Sequence, residues 1–424
     1  MNASQPTITI LPSRSLLAAG QENLLDVLIR IAAPQQEPRC ERRPLNLGIV
    51  LDRSGSMQGE KLRHAATAVA FAVRNMHGDD RVSLTVYDDE VQTLVPSAPV
   101  AKAGATLLEL LPRIRAGHAT ALHDGWVQGG LQVSEHLEPG RLSRVLLISD
   151  GLANEGETRT EVLVTRAREL FDKGVSTSTI GVGTDFNEDL MIPMARDGGG
   201  SGWFIESPAD FTRIFQAELQ DLATVFGEKV RLRLEPRGRR AEVVEVRNDL
   251  QSDGDGYLLG TLFSGSPLEI VAHIKVRGGE MGQPVDVLDV RLSWEAPGEG
   301  RAEMQQLFRM ECDDPAKVAG LPASAEVSRV VELLKSARLR RRAVELMDAG
   351  QFAAVRTLLR EQRALWQEMS ARTGGADALL EAQEIDQLVM AVEFADSDRS
   401  SRSSARKYLQ YQAQERLARS RRRT

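Results

Sequence analysis

The sequence predicts an α/β fold: a Rossmann-like, mainly parallel six-stranded sheet flanked by helices, with a β-sandwich and a C-terminal helical region beside it. Three observations carry this. Between residues 45 and 226, short apolar or β-branched runs alternate with amphipathic stretches, the pattern of strand–helix crossovers over a parallel sheet. From 229 to 295 the periodicity becomes 2, with no helical stretches between the runs. From 324 to 394 it becomes helical, with stops at Gly350 and at Thr373-Gly374-Gly375.

Taken in order, residues 7–10 and 25–31 alternate apolar with polar, so two strands with one solvated face are expected, joined by a turn at Gly20. Residues 34–43 are polar and Pro-bearing and read as a linker. Leu47, Ile49, Val50 and Leu51 form a run almost free of charge, as in a strand buried on both faces. A helix over 61–76 follows, with Leu62, Ala65, Ala66, Val69, Ala70 and Val73 on one face. Strands are expected at 81–87 and, antiparallel at the edge, at 91–95. Helices follow over 104–114 and near 126–136, then a buried strand at 143–149. A helix over 160–173 stops at Gly174. A strand at 175–182, a helix capped by Asn187 and running to 195, a strand at 202–205 and a closing helix over 208–225 complete the domain.

Five strands are expected between 229 and 295. Alone they leave an open edge, and the strands of residues 7–32 also need a partner. The two groups are therefore expected to form one sandwich, with the α/β domain inserted in it. Asp253-Gly254-Asp255-Gly256 resembles part of a Ca²⁺ loop but lacks the acid at the twelfth position, so a tight turn is expected. Residues 343–359 are similar to one tetratricopeptide hairpin; a single copy is not a stable array, which favours a plain helical hairpin. The expected domains are 1–42 (first sandwich strands), 43–226 (α/β domain), 228–297 (remaining sandwich strands), 322–395 (helices) and 396–424 (a basic, mobile tail).

The chain has 424 residues, 42% hydrophobic and 27% charged, ordinary values for a globular protein. No apolar run reaches 18 residues, and the N-terminus shows neither a basic start nor an apolar core, so no membrane span, no secretory signal and a cytoplasmic location are expected. Cys40 and Cys312 stand in no metal-binding spacing and read as ordinary thiols. The net charge is −7, yet residues 399–424 hold nine Lys or Arg against one acid, Glu415. The acidic body disfavours nucleic acid, whereas the tail leaves room for an acidic partner.

The chemistry concentrates where the first buried run ends, in Asp52-Arg53-Ser54-Gly55-Ser56-Met57. Asp52, Ser54 and Ser56 offer a carboxylate and two hydroxyls at the carboxyl end of a strand, the edge where open α/β sheets bind ligands. Hard oxygens without thiolate or imidazole suit Mg²⁺ or Mn²⁺. Three donors are too few for an octahedral ion; Thr120, in a Gly-rich turn, and Asp150, closing the apolar run 145–149, bring the count to five. Blander readings exist. Ser54 and Ser56 can cap the following helix, and Asp150 can cap a turn. Residues 88–90 end a strand and either face the ion or form a charged hairpin, the hairpin being favoured; Asp185 reads as a turn residue; His118, His123 and Asp124 read as loop or helix-start residues, with a role in shaping partner contacts as the weaker alternative.

Asp-x-Ser-x-Ser, a later Thr in a Gly-rich turn and a later Ser-Asp-Gly after a buried strand resemble the von Willebrand factor A family and its metal-ion-dependent adhesion site, over roughly residues 43–226. The resemblance is to its bacterial, intracellular members. It implies that Ser54, Ser56 and Thr120 give oxygens to the ion, that Asp52 and Asp150 ligate directly or through water, and that a partner's Glu or Asp takes the open position. One departure concerns the Thr turn, often Gly-Gly-Thr but here His118-Ala119-Thr120. The expected function is a non-enzymatic, Mg²⁺-dependent protein-binding module. The resemblance places AAA-type ATPases and signalling proteins among its partners. Two alternatives stay open: a Mg²⁺-dependent phosphoryl-transfer enzyme, and a nucleic-acid-associated scaffold acting through the tail. Against the enzyme, position 54 is Ser where a nucleophile-plus-acid Asp-x-Asp pair needs an acid, and no phosphate-binding Gly-rich loop opens a helix.

Overall fold

The computed structural model describes residues 5–34, 43–151, 153–183, 186–205, 214, 224–296, 300–373, 376–395, and positions 402, 405, 406, 408–410, 412 and 413. The chain forms two units: Met1–Gln36 with Phe226–Thr424, and Glu37–Val225. The first unit opens with β1 (Thr7–Pro12), β2 (Leu16–Ala18) and β3 (Glu22–Ala32). β1 and β3 are antiparallel, from Thr7 opposite Ala32 to Pro12 opposite Val27.

The second unit begins at β4 (Leu45–Asp52), buried at every position. A 3-10 turn, Gly55–Met57, leads to α1 (Glu60–Arg74). Then come β5 (Arg81–Tyr87), β6 (Val91–Pro99), α2 (Val100–Leu110), α3 (Leu122–Ser134), β7 (Leu142–Ser149), α4 (Thr160–Asp172), β8 (Ser176–Val182), α5 (Glu188–Asp197) and β9 (Gly199–Ile205). The sheet order is β6-β5-β4-β7-β8-β9. All neighbours are parallel except β6, which runs antiparallel on β5. The order reverses between β4 and β7, so the carboxyl ends of these two strands flank the switch point where such sheets bind ligands. α3 lies close on this centre because it lacks side chains there. A Cβ on Gly129 would stand 2.1 Å from Val50 Cγ2, and one on Gly125 would stand 2.5 Å from the Tyr87 ring.

Two local expectations need correction. Asn187 holds the N-cap position of α5 without a side-chain cap bond; Glu188 and Asp189 place acid in its first turn instead. Ser54 and Ser56 do not cap α1, whose N-cap is Gly59. Cys40, Asp185 and nearly all of the closing helix expected over 208–225 lie outside the described residues.

The first unit resumes with β10 (Val225–Pro236), β11 (Ala241–Val246), β12 (Tyr257–Phe263), β13 (Leu268–Arg277), β14 (Pro284–Ala296) and β15 (Gly300–Asp313). β3 pairs with β13 along its length, from Glu22 opposite Arg277 to Ile31 opposite Leu268. Two sheets result, β1-β3-β13-β11 and β12-β10-β14-β15-β2. Val27, Ile29, Ile31, Ile270, Ile274, Leu232, Val290 and Trp294 share the core between them. Asp253–Gly256 is a turn: Asp255 N–H donates to Asp253 Oδ1 at 3.1 Å and Gly254 has a φ of +88°. Cys312 is a buried free thiol whose Sγ accepts the Gly279 N–H at 3.1 Å.

After α6 (Pro315–Ala319) come α7 (Ala325–Asp348), α8 (Phe352–Thr373) and α9 (Ala376–Ala395). α7 lays Val327, Val330, Val331 and Leu334 on Leu28 and Val271. The face of β3 expected to be solvated is therefore covered at Leu28, which has no exposed surface. The tail also differs from the expected mobile terminus. Every described position between 402 and 413 is helical, and Ala405, Leu409, Gln412 and Ala413 are buried. Their spacing gives one apolar face, and Ala405 and Leu409 join the core of α7, α8 and α9. Arg406 chelates Asp348 with bonds of 2.8 and 3.0 Å. Arg340 is 1% exposed and satisfied by Ser336 at 2.5 Å, Glu381 at 3.1 Å and Gln412 at 3.3 Å, so the tail helps to solvate a buried cation. Leu409→Ala is expected to cost about 2–5 kcal/mol in a denaturant melt, less where the segment undocks first, and to speed amide exchange across 402–413. Unchanged stability and exchange would contradict this docking.

Candidate functional site

The site starts from a buried carboxylate. Asp52 is the last residue of β4; it lies opposite Tyr87 of β5 and one step beyond the Leu51–Ile148 pair with β7. Its side chain has no exposure. Oδ1 accepts the Ser54 N–H at 2.8 Å, which closes the turn tightly. Oδ2 accepts the Tyr87 hydroxyl at 3.3 Å and the Ser149 hydroxyl at 2.5 Å. Burial pushes the Asp52 carboxyl up to about 6; the bonds from Ser149 and Ser54 pull it down and the charge of Asp150 pushes it up again. The Tyr87 hydroxyl is held well above its usual range by burial and then by the Asp52 charge, so it stays a donor.

Ser54, Thr120 and Asp150 are buried as well, whereas Gly55 and Ser56 are exposed, so the site is open on one side. Ser54 Oγ and Ser56 Oγ stand 3.1 Å apart. Asp150 follows β7 directly, and Lys61 Nζ, from the first turn of α1, lies 3.3 Å from its Oδ2. Gly151 N–H donates to Ser149 Oγ at 2.7 Å, so Ser149 makes the turn contact that Asp150 was a candidate for.

The Thr120 loop is tied to the Asp52 turn through backbone. Gly55 N–H donates to the His118 carbonyl at 3.0 Å, and Gly117 N–H to the Arg53 carbonyl at 2.7 Å. Thr120 N–H donates to Asn154 Oδ1 at 2.8 Å, fixing the loop from the other side. The loop thus stands against the turn that carries Ser54 and Ser56, and all three segments meet at one sheet edge.

Sequence reasoning missed Tyr87, Ser149 and Asn154, and for Asp88 favoured a hairpin role over one facing the ion. Asp88 does make that turn, its Oδ1 accepting the Glu90 N–H at 3.0 Å. It also pairs with Arg53 at 3.1 Å, and its carbonyl accepts the Ala121 N–H at 2.7 Å. A Cβ on Gly117 would fall 1.7 Å from Asp88 Oδ2, so glycine is required there. The register offered one signal: Tyr87 ends the neighbouring strand at the level of Asp52. His123 pairs with Asp124 at 2.7 Å and contacts Arg166, which leaves it in the helix-start role.

The donor set fits a hard divalent ion. Adjacent ligands of an octahedron with bonds of about 2.1 Å are about 3.0 Å apart, close to the Ser54–Ser56 separation. Among the described residues no group of three or more His, Cys, Asp or Glu is placed to hold a metal. Any ion here therefore depends on the hydroxyls beside two carboxylates.

A family model for the von Willebrand factor type A domain matches residues 46–218. The uncharacterized protein sll0103 of Synechocystis is 26% identical over 308 residues, covering 70% of this chain and 72% of that protein. The inter-alpha-trypsin inhibitor heavy chain H3 of Rattus norvegicus is 26% identical over 204 residues, 46% of this chain but 22% of its own length. A von Willebrand factor type A structure from Catenulispora acidiphila superposes with a TM-score of 0.71 over 100% of this chain and 98% of that one, at 16% identity. The ArnB paralog VWA2 of Sulfolobus acidocaldarius gives 0.58 over 97% and 99%, also at 16%. At that identity the likeness is one of fold. Residues 46–218 are a von Willebrand factor type A domain, in general a protein-interaction module.

Proposed function

We propose that this domain is a non-enzymatic, Mg²⁺-dependent protein-binding module. The observation that carries the reading is the pair of buried carboxylates, Asp52 and Asp150, at the switch point, beside two hydroxyls at octahedral spacing and an exposed side at Ser56. Ser54, Ser56, Thr120, Asp52 and Asp150 would hold Mg²⁺ or Mn²⁺. Asp52, with both oxygens already accepting bonds, is better placed to act through a bound water than by direct contact. The ion would supply Lewis-acid attraction for a carboxylate of the partner. The chain's own residues do the rest: they fix the loops, exclude water beneath the turn and leave one side open.

A phosphoryl-transfer enzyme is the weaker reading. The strand-end Asp is buried and held by three donors, so it has no free oxygen aimed outward as a nucleophile. Ser54 stands where a second acid would be needed to protonate a leaving group.

Calorimetric titration of the chelator-treated chain with Mg²⁺ or Mn²⁺ tests the binding reading. The ion should bind and raise the Tm, and Ser54→Ala should weaken binding at least tenfold. Equal behaviour of the two proteins would remove the site.

The pH dependence has a definite sign. Asp52 has a folded value of about 6 against an ordinary 3.8, so the metal-free folded chain holds this proton more tightly than the unfolded chain. Its contribution to stability is greatest below pH ~4 and is lost as pH rises through ~6, by roughly 3 kcal/mol at most. Asp52→Asn should flatten that window in chelator. With Mg²⁺ present the gain in Tm should be large at pH ~8 and small at pH ~5; a gain independent of pH would contradict the assignment.

Lys61 places an ammonium beside buried Asp150, a built-in counter-charge that competes with a bound cation. Lys61→Met should therefore tighten Mg²⁺ binding several-fold and lower the Tm in chelator. Weaker Mg²⁺ binding in this variant would show that Lys61 supports the ion and does not compete with it.

A further inference from the structure

We propose that the sandwich of the first unit carries a separate anion-binding cleft, in which Arg239, Arg240 and Arg277 recognise a small ligand bearing several phosphate or carboxylate groups. The cleft has a volume of about 430 Å³ and is lined by four cations, Arg239, Arg240, Lys275 and Arg277, against two carboxylates, Glu22 and Glu242. Glu22 is taken up by Lys275 as an ion pair. The three arginines form no ion pair among the described residues.

Other arginines of this unit are paired with acids. Arg231 pairs with Asp253 at 2.9 Å, Arg233 with Glu235 at 2.8 Å, Arg237 with Asp289 at 2.5 Å, and Arg247 with Asp26 at 2.7 Å. The chain has 60 acids for 53 bases, so acidic partners are not scarce. Three neighbouring guanidinium groups left without one repel each other and cost stability, a cost that an anion between them removes. Planar guanidinium forks match carboxylate and phosphate oxygens two at a time.

The frame around them is fixed. Arg277 N–H donates to the Arg240 carbonyl at 2.8 Å, setting the two residues side by side. Gly20 N–H donates to the Gly279 carbonyl at 3.0 Å, and Gly278 N–H to the Gln21 carbonyl at 2.8 Å, so the turns at this end of the sandwich are cross-tied. A Cβ on Gly278 would fall 2.1 Å from the Ala18 carbonyl oxygen, so this close approach needs glycine. Gly20, at a φ of +68°, has nothing within 4 Å of a Cβ position and keeps the mouth clear. The volume lies in the range of small-molecule sites and exceeds what a single inorganic anion fills.

The test is calorimetry on the full chain in a Mg²⁺-free buffer, which keeps it independent of the cation site. Pyrophosphate is one titrant and citrate the other. One of them should bind with a Kd in the millimolar range or below, weaken as NaCl rises, and lose at least tenfold in affinity in the double variant Arg239→Gln/Arg277→Gln. Tighter pyrophosphate assigns a phosphate ligand; tighter citrate assigns a carboxylate ligand. Glu242→Gln, which removes the opposing acid without touching an arginine, should tighten the same titrant several-fold and serves if the double variant does not fold. No binding of either anion, or equal affinity in wild type and variants, overturns the proposal.

Discussion

A carboxylate buried at the end of the central strand is the constraint on which the second unit depends. An unpaired buried charge is costly, and Asp52 is tolerated because donors from three segments converge on it: the Ser54 amide, the Tyr87 hydroxyl and the Ser149 hydroxyl. Each donor is itself constrained. Tyr87 is held in place by the missing side chain of Gly125, against which its ring lies. Ser149 is oriented by the Gly151 amide. Ser54 is fixed by the turn it closes. Even so, Asp52 keeps its proton up to about pH 6, so compensation is incomplete. Negative charge is left in excess at this strand end, and Lys61 offsets part of it from within the chain.

The loop bearing Thr120 is located by a different device. Its bonds to the Asp52 turn are from backbone to backbone, through the carbonyls of His118 and Arg53. The side chains at 118 and 119 are therefore not what fixes the loop, which explains how His118-Ala119 stands where Gly-Gly is common in similar sequences. The glycine that matters is Gly117, because Asp88 fills the space where a side chain would go. Asp88 in turn neutralises Arg53, so the residue between Asp52 and Ser54 does not place an uncompensated charge at the mouth of the site.

The α/β sheet was legible because its strands carry their own signature. β4 and β7 are buried at every position, and the apolar runs at their centres, 47–51 and 145–148, carry that signal wherever they occur. Asp52 and Asp150 were singled out as candidates because they stand where such runs end, and Thr120 only through its Gly-rich turn. Their supports were not: Tyr87, Ser149 and Asn154 act through register and loop closure, which no local pattern encodes. β15 was missed because its burial is weak over most of its length; Arg301, Glu303 and Gln305 interrupt what is a strand only by virtue of pairing with β14. The described part of the tail was read first as mobile, with docking onto the body only as a variant, for a related reason. Arg and Ser dominate its composition, but Ala405, Leu409 and Ala413 fall on one helical face, and that spacing, not the charge, decides its place in the core.

Arginine is used in two opposite ways in the first unit, and the contrast carries physical meaning. Arg340 is almost fully buried, and Ser336, Glu381 and Gln412 each accept a bond from its guanidinium, so its charge is spent on holding helices and tail together. Removing any one acceptor would leave part of that charge desolvated without a partner, and cation burial of this kind specifies one arrangement more than it adds net stability. Arg239, Arg240 and Arg277 are exposed, line one cleft and form no ion pair among the described residues, and Arg277 N–H, at the end of β13, donates to the Arg240 carbonyl. A unit that pairs Arg231, Arg233, Arg237 and Arg247 with acids and leaves these three together holds an electrostatic potential in reserve, and such a potential acts on something that comes from outside the chain.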